Sequence, residues 1–247
     1  MNRNNRNHIA AFVEETRFGN WFLSTPQWKI SVLNRALEDL HRFLPQGASY
    51  DKILDVGCGF GHSFEALASR FKPKGIVGCD PVDELKERAG PNAESCSCQV
   101  ELRQDNAASM GFPDDSFDMV FCHQTFHHIV AQEEAMVEFF RVLKPGGTLL
   151  FAESTRAYIH SLPIKLLFRH PMHVQRTFEE YVALIRNAGF ELPDSRVSTP
   201  YLWWSRPDIG FLEWIGRPVP QKREETMVNV LAIKPLGQLP TVKLDDL

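Results

Sequence analysis

Ten residues, Lys52 to Gly61 (K-I-L-D-V-G-C-G-F-G), restrict the fold of this chain more tightly than any other stretch. Ile53, Leu54 and Val56 form a short apolar run, the pattern of a strand buried on both faces. Gly57, Gly59 and Gly61 follow in alternation. After them Phe64, Leu67, Ala68 and Phe71 fall at helical spacing within His62–Phe71. The stretch therefore reads as strand, tight glycine turn and helix. Glycine at such a turn permits positive φ and lets a ligand approach the main chain closely. The helix start adds free N–H groups and a positive dipole end, which suit an anionic group.

A second apolar run, Gly75–Cys79, ends in Asp80. An acid at the end of the second strand is where nucleotide-type sites bind the ribose hydroxyl pair. Together the two runs call for a small molecule with an adenosine half and an anionic half, for which NAD and S-adenosylmethionine both qualify. The dinucleotide fingerprint is G-x-G-x-x-G. Here the spacing is G-x-G-x-G, introduced by Asp55, which disfavours an NAD-dependent oxidoreductase.

D-V-G-C-G-F-G resembles the first motif of class I S-adenosylmethionine-dependent methyltransferases. Gln104-Asp105, then Phe112-Pro113-Asp114-Asp115-Ser116-Phe117-Asp118, then Arg141-Val142-Leu143-Lys144-Pro145-Gly146-Gly147 resemble the later motifs of that family, in order. The resemblance runs from about Asp51 to Glu153 and is nearest the mixed group that includes ubiquinone and menaquinone methyltransferases. It implies an α/β fold, a doubly wound Rossmann-like seven-stranded sheet, mostly parallel with an antiparallel last strand and helices on both faces. It implies S-adenosylmethionine as cofactor and S-adenosylhomocysteine as product. The cofactor contacts implied are Asp55, Gly57, Cys58, Gly59 and Gly61 from the glycine turn, Asp80 and Pro81 from the second strand end, Asp105, Asn106 and Ala107 from the third, and His123 and Gln124 from the fourth. Asp105 would accept from the adenine amino group, with the Asn106 N–H facing a ring nitrogen. Met110 and Phe112 would pack either on the adenine or on the loop.

The fourth strand, Phe117–Cys122, delivers His123-Gln124-Thr125-Phe126-His127-His128 to the carboxyl edge of the sheet, where ligands of open α/β sheets bind. Methyl transfer needs an aligned acceptor and often a base, and a histidine near its free pKa is suited to that. His123, His127 and His128 are therefore the catalytic candidates, weighed against ordinary packing roles. Glu153, ending the fifth strand Thr148–Ala152, is a second candidate for substrate contact. The base argues for methylation of a hydroxyl or phenol oxygen, with carbon or nitrogen of a quinone-like, lipid-like or other metabolite as the alternative.

The remaining expectations follow chain order. Residues 1–49 form an N-terminal helical cap, with Phe12–Phe22 irregular and a helix from Thr25-Pro26 to about Leu44; residues 50–247 form the methyltransferase domain. Pro81–Ala89 reads as a short helix and Gly90–Ser97 as loop. Residues 155–176, rich in bulky apolar and basic side chains, read as a substrate lid suited to a hydrophobic acceptor with an anionic group. A capping box at Thr177-Phe178-Glu179-Glu180 starts a helix that Gly189 ends. Phe190–Val197 reads as a strand, Trp203 and Trp204 as a pocket roof or hairpin core, Asp208–Gly216 as a short helix, Thr226–Ile233 as the last strand and Pro235–Leu247 as a tail.

Composition narrows the partners. The net charge of −4 and the absence of an N/D-P-P-Y/F turn after the fourth strand argue against nucleic acid. The five cysteines, three of them in or beside core strands, do not form a disulfide framework and point to a reducing, cytoplasmic setting. Met1–His8 has no apolar h-region, and no run approaches a membrane span in length. Cys96-x-Cys98 finds no second ligand pair, so no metal is expected. The oligomeric state is left open.

Overall fold

The computed structural model describes residues 12–25, 29–206, 211–218 and 223–237. A sheet is laid down in the order β3-β2-β1-β4-β5-β7-β6. Its strands are β1 (Lys52–Val56), β2 (Gly75–Asp80), β3 (Gln99–Gln104), β4 (Phe117–His123), β5 (Leu143–Ser154), β6 (Val197–Ser198) and β7 (Met227–Ile233). The pairs among β1 to β5 are parallel, whereas β7 runs antiparallel to both β5 and β6. This is the mostly parallel sheet with an antiparallel last strand that the motifs implied.

Helices cover both faces, and the central strands β1, β2 and β4 are mostly apolar because each face needs its own half of every strand, whereas the edge strand β3 alternates polar and apolar residues. Leu54, Val120, Cys122 and Phe151 point to one side, where they pack with α5 (Gln132–Val142) and α7 (Phe178–Asn187). Ile53, Met119, Phe121 and Leu150 point to the other, against α2 (Asn34–His41), α3 (Phe64–Phe71) and α4 (Leu85–Glu94). Each fully buried Phe or Leu contributes about 1.5–3 kcal/mol by leaving water. Cys58, Cys79 and Cys122 are buried among these side chains as small apolar fillers, and all five cysteines are free thiols.

Several elements differ from the expected ones for identifiable reasons. Phe12–Phe22 is not wholly irregular: α1 (Arg17–Leu23) forms there, with the Thr16 hydroxyl accepting from the Gly19 N–H as its N-cap. The following helix winds as a π-turn over Lys29–Leu33 before α2; its expected start at Pro26 lies outside the described residues. The helix after β2 begins at Leu85 rather than Pro81 and runs through Pro91 to Glu94, so part of the expected Gly90–Ser97 loop is helical. Buried Leu85 and Ala89, and the Asn92 amide donating to the Phe60 carbonyl at 2.7 Å, hold that turn against the proline. Phe190–Val197 does not form a full strand. Pro193 opens a 3-10 turn, Asp194–Arg196, while Arg186 takes up the Leu192 carbonyl, so the segment meets β7 only as an isolated bridge at Glu191 and as the two-residue strand Val197–Ser198.

The capping box is present: the Thr177 hydroxyl accepts from the Glu180 N–H at 3.2 Å, and the Thr177 N–H donates to Glu180 at 2.7 Å. Residues 155–176 hold two short helical segments, Arg156–Ile159 and α6 (Leu162–Leu167), before a loop. Of the expected Asp208–Gly216 helix, one turn, Phe211–Trp214, is described. Met1–His8 and Gln238–Leu247 lie outside the described residues. Among the described residues, no helix is long and apolar enough to cross a membrane.

Candidate active site

The carboxyl ends of β1, β2, β3 and β4 meet at one edge of the sheet, and a cleft opens there. Gly57 and Gly61 make its glycine turn possible by packing. Gly57 has φ +69°, its N–H donates to the Cys79 carbonyl at 2.8 Å, and a Cβ would sit 2.0 Å from Thr125 Cγ2. At Gly61, φ +72°, a Cβ would meet the Phe64 ring at 2.4 Å. Gly61 is not on the cleft wall; its N–H closes the turn onto the Cys58 carbonyl at 2.7 Å. Gly59 differs: φ is +52° and nothing lies within 4 Å of where a Cβ would be. Its bare main chain is open to the cleft.

Two carboxylates stand behind this turn. Asp80 ends β2; it accepts from the Gly59 N–H at 3.0 Å and from the Val82 N–H at 3.3 Å, which fixes it without using all its lone pairs. Asp55 is buried and accepts from the Ser63 hydroxyl. Burial raises both acids. Asp55 is pushed up to about 7, chiefly by burial and further by the Asp80 charge, against the Ser63 bond. A cleft that raises two acids in this way favours a cationic ligand.

At the end of β3, Asp105 accepts from the Asn106 N–H at 2.8 Å and the Gly111 N–H at 2.9 Å. The Asn106 N–H, expected to face a ring nitrogen, thus already donates to its neighbour. Asp105, Asn106 and Ala107 line the cleft together with Cys58 and Pro81. Met110 and Phe112 do not; Met110 is core, and Phe112 packs edge-on against Phe117 at 5.2 Å.

The turn after β4 forms the far wall. His123 and Gln124 line it, as expected, and so do Thr125 and His128. Gln124 takes φ +52°, unusual for a residue with a side chain. Its N–H donates to the Ala152 carbonyl at 2.9 Å and its Oε1 accepts from the Ser154 hydroxyl at 2.6 Å. Its Nε2 is buried and makes no hydrogen bond among the described residues.

Glu153 is the anchor of this turn, and not the substrate contact expected of it. It is fully buried. Its Oε1 accepts from the Thr125 and Phe126 N–H groups, each at 2.7 Å, and its Oε2 pairs with His127 Nδ1 at 2.6 Å. His127 consequently sits behind the wall. Burial lowers His123 to about 4 and His128 well below the ordinary imidazole value, so both are neutral at pH 7. His170, from the loop after α6, packs against both His127 and His128 and is lowered by burial to about 3.

The N-terminal segment, read from the sequence as a helical cap, supplies a wall of the cleft whose individual residues no motif had marked. Phe12 bridges to Ile129, the Val13 N–H donates to the His128 carbonyl at 3.3 Å, and Phe12 to Glu15, Asn20 and Leu23 all line the cleft. No periodicity marks these positions, because they meet the site only through tertiary contact. Trp204, by contrast, lies off the cleft and packs edge-on against Tyr158 at 5.8 Å.

Residues 54–151 match the family described as "Methyltransferase domain". Phosphoethanolamine N-methyltransferase 1 of Arabidopsis thaliana is 31% identical over 180 residues, spanning 73% of this chain but only 32% of that protein. The uncharacterized methyltransferase YcgJ of Bacillus subtilis is 30% identical over 190 residues, 73% of this chain and 70% of that protein. Among solved structures, a SAM-dependent methyltransferase of Methanosarcina mazei superposes with a TM-score of 0.55 at 23% identity, covering 80% of this chain and 97% of that one.

Proposed function

This chain belongs to the class I S-adenosylmethionine-dependent methyltransferases, and we propose that within that family it methylates an oxygen of a small-molecule acceptor held at the imidazole end of the cleft. The residues present fit the cofactor. Gly59 leaves room for close approach, Asp80 keeps lone pairs free at the strand end, and two burial-raised acids favour a ligand carrying positive charge. When bound, S-adenosylmethionine supplies a methyl group on a sulfonium and leaves as S-adenosylhomocysteine.

The roles of the chain's own residues follow from their places. Asp80 accepts from the ribose hydroxyls through charge-assisted bonds. Asp55, behind the turn, offsets the ligand's positive charge. Asp105, Asn106 and Ala107 border the adenine end, and Gln124 offers its buried Nε2 to the methionine end. The acceptor's reacting atom is held where His123 and His128 face the cleft, and alignment there supplies much of the barrier reduction. A hydroxyl must also lose its proton; burial makes His123 and His128 weak bases and not the histidines near their free pKa that the sequence suggested, so they offer the acceptor's O–H neutral hydrogen-bond acceptors.

Residues 155–176 act as the lid and the N-terminal segment as the cap. Phe18 and Phe22 pack on Phe168, at 5.7 and 6.0 Å, and Thr16 bonds to the Leu167 carbonyl at 2.7 Å, tying the two together. None of residues 155–176 lines the cleft directly; the exposed Leu162 and Leu166 of α6, with Lys165 and Arg169 beside them in sequence, are the apolar and basic groups this lid would bring to an acceptor on closing. The Arabidopsis relative is named for phosphoethanolamine, itself small and anionic.

The observation that carries this reading is the juxtaposition of Asp80 and uncovered Gly59 with the imidazoles across one cleft. Calorimetric titration with S-adenosylhomocysteine tests it: micromolar binding, about −8 kcal/mol, is expected. Asp80→Ala should weaken it at least about tenfold, because a hydrogen bond to a charged group contributes about 1.5–3 kcal/mol, with the circular dichroism spectrum unchanged. Equal binding by the variant overturns the assignment. Labelled methyl donor offered with phenols, hydroxy acids and amines then decides between oxygen and nitrogen.

A further inference from the structure

We propose that His127, His128 and His170 form a binding site for one divalent transition-metal ion, with zinc the best match to an all-imidazole ligand set. Candidate ligand atoms of the three side chains lie within 4.8 Å of one another. Their ring centroids are 4.5 Å apart for His127–His128, 4.7 Å for His128–His170 and 5.1 Å for His127–His170. Three imidazoles drawn from two segments of chain, converging under the N-terminal cap, are more than a pair of stacked rings.

The surroundings are those of a metal site. His127 Nδ1 is 2.6 Å from Glu153 Oε2, and His128 Nδ1 is 3.2 Å from the Val13 carbonyl oxygen. A ring whose Nδ1–H donates to a carboxylate or a carbonyl presents its bare Nε2 in a fixed direction. That is the outer-shell arrangement of metal-bound histidine. Glu153 brings negative charge to the cluster, and Glu15 lies close enough for its charge to interact with His127, so a dication there would not be uncompensated. Tetrahedral zinc with Zn–N near 2.0–2.1 Å needs nitrogens about 3.4 Å apart. The contraction from 4.8 Å is a side-chain adjustment, and His170, on the loop between α6 and α7, is the ring placed to make it.

Three histidine ligands leave a fourth position open, the pattern of catalytic rather than structural zinc. Because His128 also lines the cleft, that position is available to water or to an oxygen of the acceptor, whose acidity a metal raises. This last step rests on the methyltransferase reading; the metal site itself does not. It assigns His127 and His128 to ligation, with the metal supplying the acidification otherwise asked of a base.

The test uses the full chain, stripped with a chelator and titrated with Zn2+ by calorimetry and with Co2+ by visible absorption. One equivalent of zinc should bind, and cobalt should give the ligand-field bands of a tetrahedral nitrogen and oxygen site. His170→Ala and His128→Ala should each weaken zinc at least about tenfold, the scale on which loss of even an outer-shell partner acts. His173→Ala, an exposed histidine of the same loop, should leave binding unchanged. Failure of the wild-type protein to bind a stoichiometric ion overturns the proposal, whatever the variants do. So does wild-type affinity in His170→Ala, or an intense sulfur-to-cobalt band, which would place the ion on Cys96 and Cys98. S-adenosylhomocysteine titrations of the same samples keep the two readings apart. Binding of that ligand without zinc removes only the metal site, and zinc binding without that ligand removes only the methyltransferase assignment.

Discussion

Asp55 shows how a residue's place can be legible while its chemistry is not. Its position before the glycines follows from the motif. Its pKa of about 7, set chiefly by burial and further raised by the Asp80 charge against the Ser63 bond, follows from the packing of the chain around it. In the unfolded chain the carboxyl ionises near pH 4. Between there and pH 7 the unfolded state gives up a proton that the folded state keeps, so stability from this group falls as pH rises through that window and is lost above it. Asp55→Asn cannot ionise. Its melting temperature should exceed that of the wild-type protein at pH 8, by roughly 2–4 °C per kcal/mol of relief, with little difference at pH 4. A constant difference across that range, read by thermal denaturation in a buffer series, would mean that Asp55 is solvated. Glu153 makes the complementary point. The sequence placed it correctly at a strand end, but strand-end position does not tell which way a side chain turns, and this one turns inward to two backbone N–H groups and His127. Glu153→Ala should strand those donors, at about 1–3 kcal/mol each, and lower the urea midpoint accordingly.

Among the elements, the strand, glycine turn and helix of residues 52–71 were readable because their signals are local: a short apolar run, residues that tolerate positive φ, and a helical stripe. The three glycines are nonetheless not equivalent, and only the fold separates them. Gly57→Ala combines left-handed strain with overlap onto Thr125 and should cost about 2–5 kcal/mol in stability. Gly59→Ala meets open space and should cost only about 1–2 kcal/mol, yet lose S-adenosylhomocysteine binding because its methyl enters the cleft. Urea denaturation and calorimetry on the pair check both halves; a reversed order would place the cofactor elsewhere. Elements whose local signals conflict were read less well. Gly19-Asn20 hid α1, whose N-cap and packing against Phe168 hold it in place. Pro91 hid the last turn of α4, and Pro193 broke a strand whose apolar pattern had promised continuity.

For the molecule as a whole, the N-terminal segment packs against the turn after β4 and the loop after α6, while the buried core clusters among the described residues begin only at Leu33. Deleting residues 1–25 should therefore preserve cooperative melting while speeding release of S-adenosylhomocysteine at least about tenfold, equivalent to 1.4 kcal/mol; stopped-flow release rates check this, and an unchanged rate would reduce the segment to edge packing. The sequence by itself determined the sheet's core strands and the order of the glycine turn and its acids, because these depend on periodicity and on spacing between near neighbours along the chain; the reaction family came from the likeness of its motifs to those of known methyltransferases. Tertiary structure alone decided that Glu153 faces inward, that a Cβ finds open space at Gly59 and not at Gly57, which residues of the N-terminal segment line the cleft, and that His170 joins His127 and His128. Each of these depends on contacts between segments tens of residues apart, whose side-chain directions and burial are set only when the chain packs.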